Sequence, residues 1–183
     1  MMIVSIVGMA GAGKSEAARV FGESGFTPIR FGDITDEEVK RRGLSLNEAN
    51  ERYVREYLRQ EHGMEAYALL NLPRIDAALK KSAVVLDGLY SWEEYTCLKN
   101  HYGADLCMIA VYASPKTRYD RLSRRPVRPL SAEEAASRDY AEIESLNKGG
   151  PIAMADFTII NESSLQDLEK DVKVIIAELG AQV

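Results

Sequence analysis

The chain has 183 residues, 46% of them hydrophobic and 28% charged, with 23 basic against 28 acidic side chains and a net charge of −5. This suits one folded globular domain, excludes a disordered or fibrous chain, and disfavours generic nucleic-acid binding. Two cysteines, Cys97 and Cys107, and two histidines, His62 and His101, make neither a disulfide framework nor a four-ligand zinc site.

The chain opens on an apolar run, Ile3–Val7, with β-branched residues and a stop at Gly8. It predicts a buried strand; without a charged leader before it, the run is read as neither signal peptide nor membrane span. A reduced, cytoplasmic setting is therefore expected. Lys14–Glu23 predicts a helix ending at Gly25, and Thr27–Phe31 a second strand. Capping-box patterns at Thr35–Glu38 and Ser45–Glu48 predict helices from Thr35 towards Gly43 and from Ser45 to about Glu61. His62-Gly63 breaks the second. Met64–Lys81 predicts a further helical stretch, bent near Pro73.

Ala83–Asp87 is almost wholly apolar, as a strand inside a parallel sheet should be. Ser91–Glu94 is another box, whose helix ends by Gly103. Leu106–Tyr112 predicts a fourth strand, and Ser114-Pro115 caps a helix to about Arg125. After a loop between Pro126 and Pro129, the box Ser131–Glu134 starts a helix to about Lys148, broken by Gly149-Gly150-Pro151. Phe157–Ile160 predicts a fifth strand and Ser164–Leu179 an amphipathic helix. The alternation implies an α/β fold with a parallel sheet covered on both faces, in one domain over 1–183. Residues 35–82 are expected to be an acceptor-binding insert and residues 124–131 a short lid.

Gly8-Met9-Ala10-Gly11-Ala12-Gly13-Lys14-Ser15 matches G-x-x-x-x-G-K-[ST] and lies between a predicted strand and a predicted helix. Glycines let the backbone approach a phosphate chain, and the helix N-terminus adds positive dipole. Lys14 is expected to reach the β- and γ-phosphates of ATP, and Ser15 to ligate Mg²⁺. Asp87, at the end of a buried strand, supplies the second metal-side group. Gly88 stands where many ATPases carry a water-activating glutamate. Asn147-Lys148-Gly149-Gly150 lacks the aspartate of a GTPase base-reading motif. Both departures favour a kinase over a motor-type ATPase or a GTPase.

Lys116, Arg118, Arg121, Arg124, Arg125 and Arg128 stand against one acid, Asp120. At helical spacing Arg118, Arg121 and Arg125 share a face. Arginine forks suit transferring phosphoryl oxygens, so Arg121 and Arg124, with Arg138 on the next helix, are expected to stabilise the transition state. The alternatives are a solvated basic helix or an RNA patch. Asp33, after Gly32, faces the sheet edge where ligands bind in such folds and is expected to orient the acceptor; the alternative is a helix-start turn. Tyr53, Tyr57 and Tyr67 read first as packing, then as a base platform.

These motifs resemble nucleoside and nucleotide kinases of the adenylate-kinase type, and most closely an archaeal adenylate-kinase-related P-loop family. The resemblance rests on Gly8–Ser15, Gly32-Asp33, Asp87-Gly88, Ser114-Pro115 with Arg118 and Arg121, Arg138-Asp139, and Ala155-Asp156 to Asn161. It implies a P-loop three-layer sandwich with a five-stranded parallel sheet of order 2-3-1-4-5. The C-terminal half is also similar to dephospho-coenzyme A kinase. That similarity implies Asn161 near the adenine, and Arg124 and Arg138 near the phosphates, of ATP. Adenylate kinases carry monophosphate-gripping arginines where this chain has Asp36 and Tyr90. The expected function is a Mg²⁺·ATP-dependent kinase acting on a small, nucleotide-like acceptor. The alternatives are a slowly hydrolysing ATP switch, a dephospho-coenzyme A kinase-like enzyme and, on the basic strip alone, an RNA-processing protein.

Overall fold

The computed structural model describes residues 2–126 and 129–180. The strands are β1 (Ile3–Val7), β2 (Thr27–Arg30), β3 (Val84–Asp87), β4 (Leu106–Tyr112) and β5 (Phe157–Ile160). The helices are α1 (Lys14–Glu23), α2 (Asp33–Arg41), α3 (Glu48–His62), α4 (Ala66–Leu79), α5 (Trp92–Tyr102), α6 (Pro115–Ser123), α7 (Ala132–Glu144), α8 (Gly149–Ala153) and α9 (Leu165–Gly180). All pairings in the sheet are parallel, in the order β2-β3-β1-β4-β5. This is the expected P-loop kinase-like architecture.

Strand alternation sorts the core into two layers. Ile3 and Val7 of β1, with Leu86, Met108 and Ala110, pack under the helices that follow β2 and β3. Val4 and Ile6, with Val85, Ile109 and Val111, face α1 and α9, where Phe21, Leu168 and Val172 meet them. The centre of the sheet is buried on both faces, which is why β1 reads as an unbroken apolar run. A small third cluster, Ala10, Leu122 and Ala135, packs α6 and α7 against the loop after β1.

Three helix boundaries differ from expectation, each for a local reason. Thr35 caps nothing: α2 begins two residues earlier, at Asp33, and the Thr35 hydroxyl lies buried, 2.5 Å from the Tyr67 hydroxyl. Asn47, not Ser45, caps α3, accepting from the Asn50 N–H at 2.9 Å. Gly149-Gly150-Pro151 does not merely break a helix; with Ile152 and Ala153 it forms the short α8. Pro73 sits inside α4 without ending it. Of the expected lid, Val127 and Arg128 lie outside the described residues.

Candidate phosphate-binding site

The loop after β1 is built by backbone conformation. Gly8, Gly11 and Gly13 all take positive φ, at 151°, 81° and 108°. A Cβ on Gly8 would run into the Val111 carbonyl, and one on Gly13 into the Asn161 amide. No side chain caps α1, because Gly13 is its N-cap residue. The amides of its first turn therefore meet the loop uncapped, the arrangement that favours an anion. The Lys14 ammonium turns back onto the Met9 carbonyl at 3.0 Å, its one side-chain hydrogen bond among the described residues. Burial and then the nearby Lys148 cation lower its pKa to about 7, against the opposing pull of Glu142 and Asp87. Ser15 follows, exposed, one residue into α1.

Two side chains brace the loop from behind. Arg118 makes a two-pronged pair with Asp139 (2.8 and 2.6 Å) and donates to the carbonyls of Ala10 (3.1 Å) and Ala113 (3.0 Å). It is 4% exposed. The expected cationic face of α6 is corrected here, since Arg118 faces the interior while other arginines of the strip face solvent. Asn161, after β5, donates its amide to the Ala12 carbonyl at 2.8 Å. Its side-chain oxygen accepts from Arg121 at 3.4 Å. The resemblance to dephospho-coenzyme A kinase implies Asn161 near the base; in the structure its amide locks the end of the loop.

The remaining cations differ in their freedom. Arg124 is largely exposed and pairs with Asp120 at 2.7 Å. Among the described residues Arg121 keeps one buried terminal nitrogen without a hydrogen-bond partner, beside the loop-bracing Asn161. Arg138 donates to Glu142 at 3.0 Å. Burial, then Arg138, lowers the pKa of Arg125, so these two arginines are neighbours.

On the other side of the loop stands the end of β3, where Asp87 lies in register with Ile6 of β1 and Arg30 of β2. Asp87 is a source of negative potential at Lys14. Gly88 turns away with φ 105°, and the Tyr90 ring covers it; a Cβ there would lie 2.9 Å from the Tyr90 hydroxyl. Burial, then Asp87 and Glu94, push the Tyr90 phenol up to about 12. Asp33 opens α2, and Arg30 reaches it and Asp36 at 2.9 Å each. Arg30 and Tyr90 both flank Asp87, but Arg30 is already shared between two carboxylates. Of the insert tyrosines, Tyr67 is buried and edge-on to Tyr90. The Arg42 guanidinium lies over Tyr57 (3.9 Å) and Tyr53 (5.6 Å). Cys97 and Cys107 are free thiols, and no cluster of three metal-ligating side chains occurs among the described residues.

Three functional candidates escape sequence reasoning. Lys148 is 0% exposed, pairs with Glu142 at 2.7 Å and holds its ammonium 5.1 Å above the Tyr90 ring centre. Glu142 is also buried, at 6% exposed; burial would raise its pKa, but Lys148, then Arg138 and Lys14, hold it at about 2. Glu94 is fully buried and accepts the Tyr90 N–H at 2.7 Å. Burial pushes it up to about 7. The signal for Lys148 was its place just before a glycine pair and a proline, where an apparent helix end becomes a buried corner.

The donor set fits Mg²⁺·ATP. A glycine-shaped loop, a helix N-terminus without a side-chain cap and a lysine with no carboxylate partner suit a polyphosphate. Ser15 and Asp87 are oxygen ligands suited to a hard divalent cation.

A family model described as AAA domain matches residues 4–143. The UPF0200 protein of Thermococcus sibiricus is 36% identical over 183 residues, spanning 98% of this chain and 96% of that one. That of Methanocaldococcus jannaschii is 35% identical over 182 residues, spanning 98% and 91%. Among solved structures, a gluconokinase from Sinorhizobium meliloti is similar with a TM-score of 0.62 at 13% identity, covering 99% of this chain and 94% of that one. A shikimate kinase from Aquifex aeolicus gives 0.58 at 17%, covering 98% and 99%. A dephospho-CoA kinase from Campylobacter jejuni gives 0.55 at 16%, covering 96% of each. At such identities the shared property is the fold. Matched along nearly its whole length by archaeal relatives, and carrying the glycine loop within the matched AAA domain, the chain belongs to the UPF0200 family and has a P-loop kinase-like fold.

Proposed function

We propose that this protein is a Mg²⁺·ATP-dependent phosphotransferase acting on a small, nucleotide-like acceptor. One observation carries the reading: Lys14, in no carboxylate ion pair among the described residues, lies within electrostatic reach of both Asp87 and Arg138. A metal-side acid and a half-exposed arginine thus flank the same lysine. Phosphoryl transfer asks mainly for such positioning and charge. In this reading the amides of Gly8–Lys14 and the Lys14 ammonium bind the phosphate chain, Ser15 and Asp87 hold Mg²⁺, Asn161 lies towards the nucleoside, and Arg121 joins the cations at the transferring group. The bound Mg²⁺ would neutralise charge on the phosphate oxygens. Arg138 and Arg124 serve the transferring group, the second from a lid over 124–131, while Asp33 orients an acceptor held by the insert over 35–82. The free thiols agree with a reducing, cytoplasmic setting. Among the described residues no helix is long and apolar enough to cross a membrane.

A second reading, an ATP-dependent switch, draws on one specific feature. Arg30 is neutralised by Asp33 and Asp36, and Tyr90 closes over Gly88, so neither strand end offers a free cation to a monophosphate. A screen with γ-labelled ATP over nucleosides, nucleoside monophosphates and dephospho-coenzyme A separates the two. Label transferred to one acceptor, and lost in Lys14→Ala, supports the phosphotransferase. ATP binding with no label transferred to any acceptor supports the switch.

A further inference from the structure

Glu142 stands between two cations of opposite character. One carboxylate oxygen takes Lys148 at 2.7 Å, the other takes Arg138 at 3.0 Å. The Lys148 side chain is 1% exposed and that of Arg138 is 48%. Lys148 cannot leave. The Tyr90 ring covers its ammonium, and its own N–H donates to the Glu142 carbonyl at 3.2 Å. Asn147 turns the chain with a positive φ of 51°, uncommon for a residue with a side chain. The corner is pinned to the turn after β3, where the Trp92 N–H donates to the Leu146 carbonyl at 3.2 Å. The Trp92 indole lies on Gly150, where a Cβ would come within 2.5 Å of the ring. Arg138 has none of these restraints.

A buried carboxylate beside a phosphate site is a hazard. Left unpaired, it would draw in the cations the phosphates need. Resting on the phosphotransferase reading above, we propose that Lys148 is a positioning residue: as the permanent buried counter-ion of Glu142, it leaves Arg138 on the open side of that carboxylate free to turn to the phosphate chain. Glu142 then holds Arg138 near the site without capturing it, and Lys14 is spared in the same way. The low pKa of Glu142 agrees with a carboxylate that stays charged and occupied.

The test uses ADP, Mg²⁺ and tetrafluoroaluminate, a mimic of the transferring phosphoryl group with water in the acceptor place, measured by calorimetry against ADP with Mg²⁺ alone. In the wild type, tetrafluoroaluminate should tighten ADP binding. Lys148→Met keeps the apolar stem and removes the charge. It should cut that tightening about tenfold, the worth of one charge-assisted hydrogen bond, and leave ADP binding within about threefold. The double variant K148M/E142Q removes both charges and should restore the tightening, because Arg138 is again uncaptured. An unchanged K148M, or a double variant no better than K148M, overturns the proposal. If K148M alone fails to fold, the double variant is compared with Arg138→Met. Tightening retained in the first and lost in the second supports the proposal, and equal loss overturns it. A wild type that binds ADP with no tightening, and that also transfers no label to any acceptor in the screen above, instead overturns the phosphotransferase reading beneath it.

Discussion

At the scale of the residue, Lys14 and Gly13 carry the sharpest expectations. Lys14→Met should weaken ATP binding by about 10-fold or more, the loss of a charged hydrogen bond to phosphate, with little change in melting temperature. Calorimetric titration and a thermal melt check both halves. Gly13→Ala should cost about 1–2 kcal/mol from its left-handed backbone, and more from displacing the Asn161 amide from the Ala12 carbonyl. Urea unfolding measures the loss, and Asn161→Ala should reproduce part of it without backbone strain. The glycine loop was legible because its chemistry is local: eight consecutive residues specify both turn and ligand. Lys148 was not. Its meaning depends on Glu142, six residues earlier, and on Tyr90, which reaches it only through the fold. In sequence it resembled half of a nucleotide-base motif, and its burial could not be read from its neighbours.

At the scale of the element, helix α7 is the part that couples to the loop. Its inward face presents Ala135, Asp139 and Glu142, and Asp139 anchors Arg118, which in turn holds the Ala10 carbonyl. Arg118→Met leaves the buried Asp139 carboxylate without its counter-ion, with the Tyr119 hydroxyl still donating to it. It should destabilise the fold by about 3–5 kcal/mol, read from the urea midpoint, far more than the few tenths expected for exposed Arg124→Met. Helix α5 offers a pH test. Because burial raises Glu94 from 4.5 to about 7, the folded state holds that proton more tightly than the unfolded chain. Its contribution to stability is greatest below about pH 4.5, falls as pH rises through about 7, and is level above, up to about 3 kcal/mol in all. Glu94→Gln keeps an acceptor for the Tyr90 N–H and should flatten that slope, as urea midpoints at pH 5 and pH 8 would show. Three helix starts were legible from their capping serines. Ser91, Ser114 and Ser131 each cap as their patterns predict. Thr35 fails because its hydroxyl is committed to the buried Tyr67, a partner 32 residues away that no local pattern announces.

At the scale of the whole molecule, the net charge of −5 averages opposite placements. Acids gather on α2 and the first turn of α7, while cations approach the phosphate loop from α6, α7 and the Lys148 corner. In the proposed function a polyphosphate would be drawn to one edge of an otherwise acidic body. MgATP at 100 times its dissociation constant should stabilise the fold by about 2.7 kcal/mol, and a thermal shift would show it. Lys14→Met, binding about tenfold more weakly, should keep only about 1.4 kcal/mol of that stabilisation at the same concentration, and the shift should shrink accordingly. The strands and the two-faced core were legible throughout, because a parallel sheet writes itself as apolar runs separated by helices, whereas the strand order followed only from the family resemblance. The acceptor side was not, since Arg30, Asp33 and Asp36 neutralise one another only once β2 and α2 are folded together. One packing contact also gives the molecule a built-in optical probe. Trp92 is the only tryptophan in the chain, and its indole rests on Gly150 in the same corner that carries Lys148. Its fluorescence therefore comes from a single place, two residues from that buried lysine. Any shift of the corner as nucleotide arrives would alter the emission maximum of the unlabelled protein, in real time and in a stopped-flow cell.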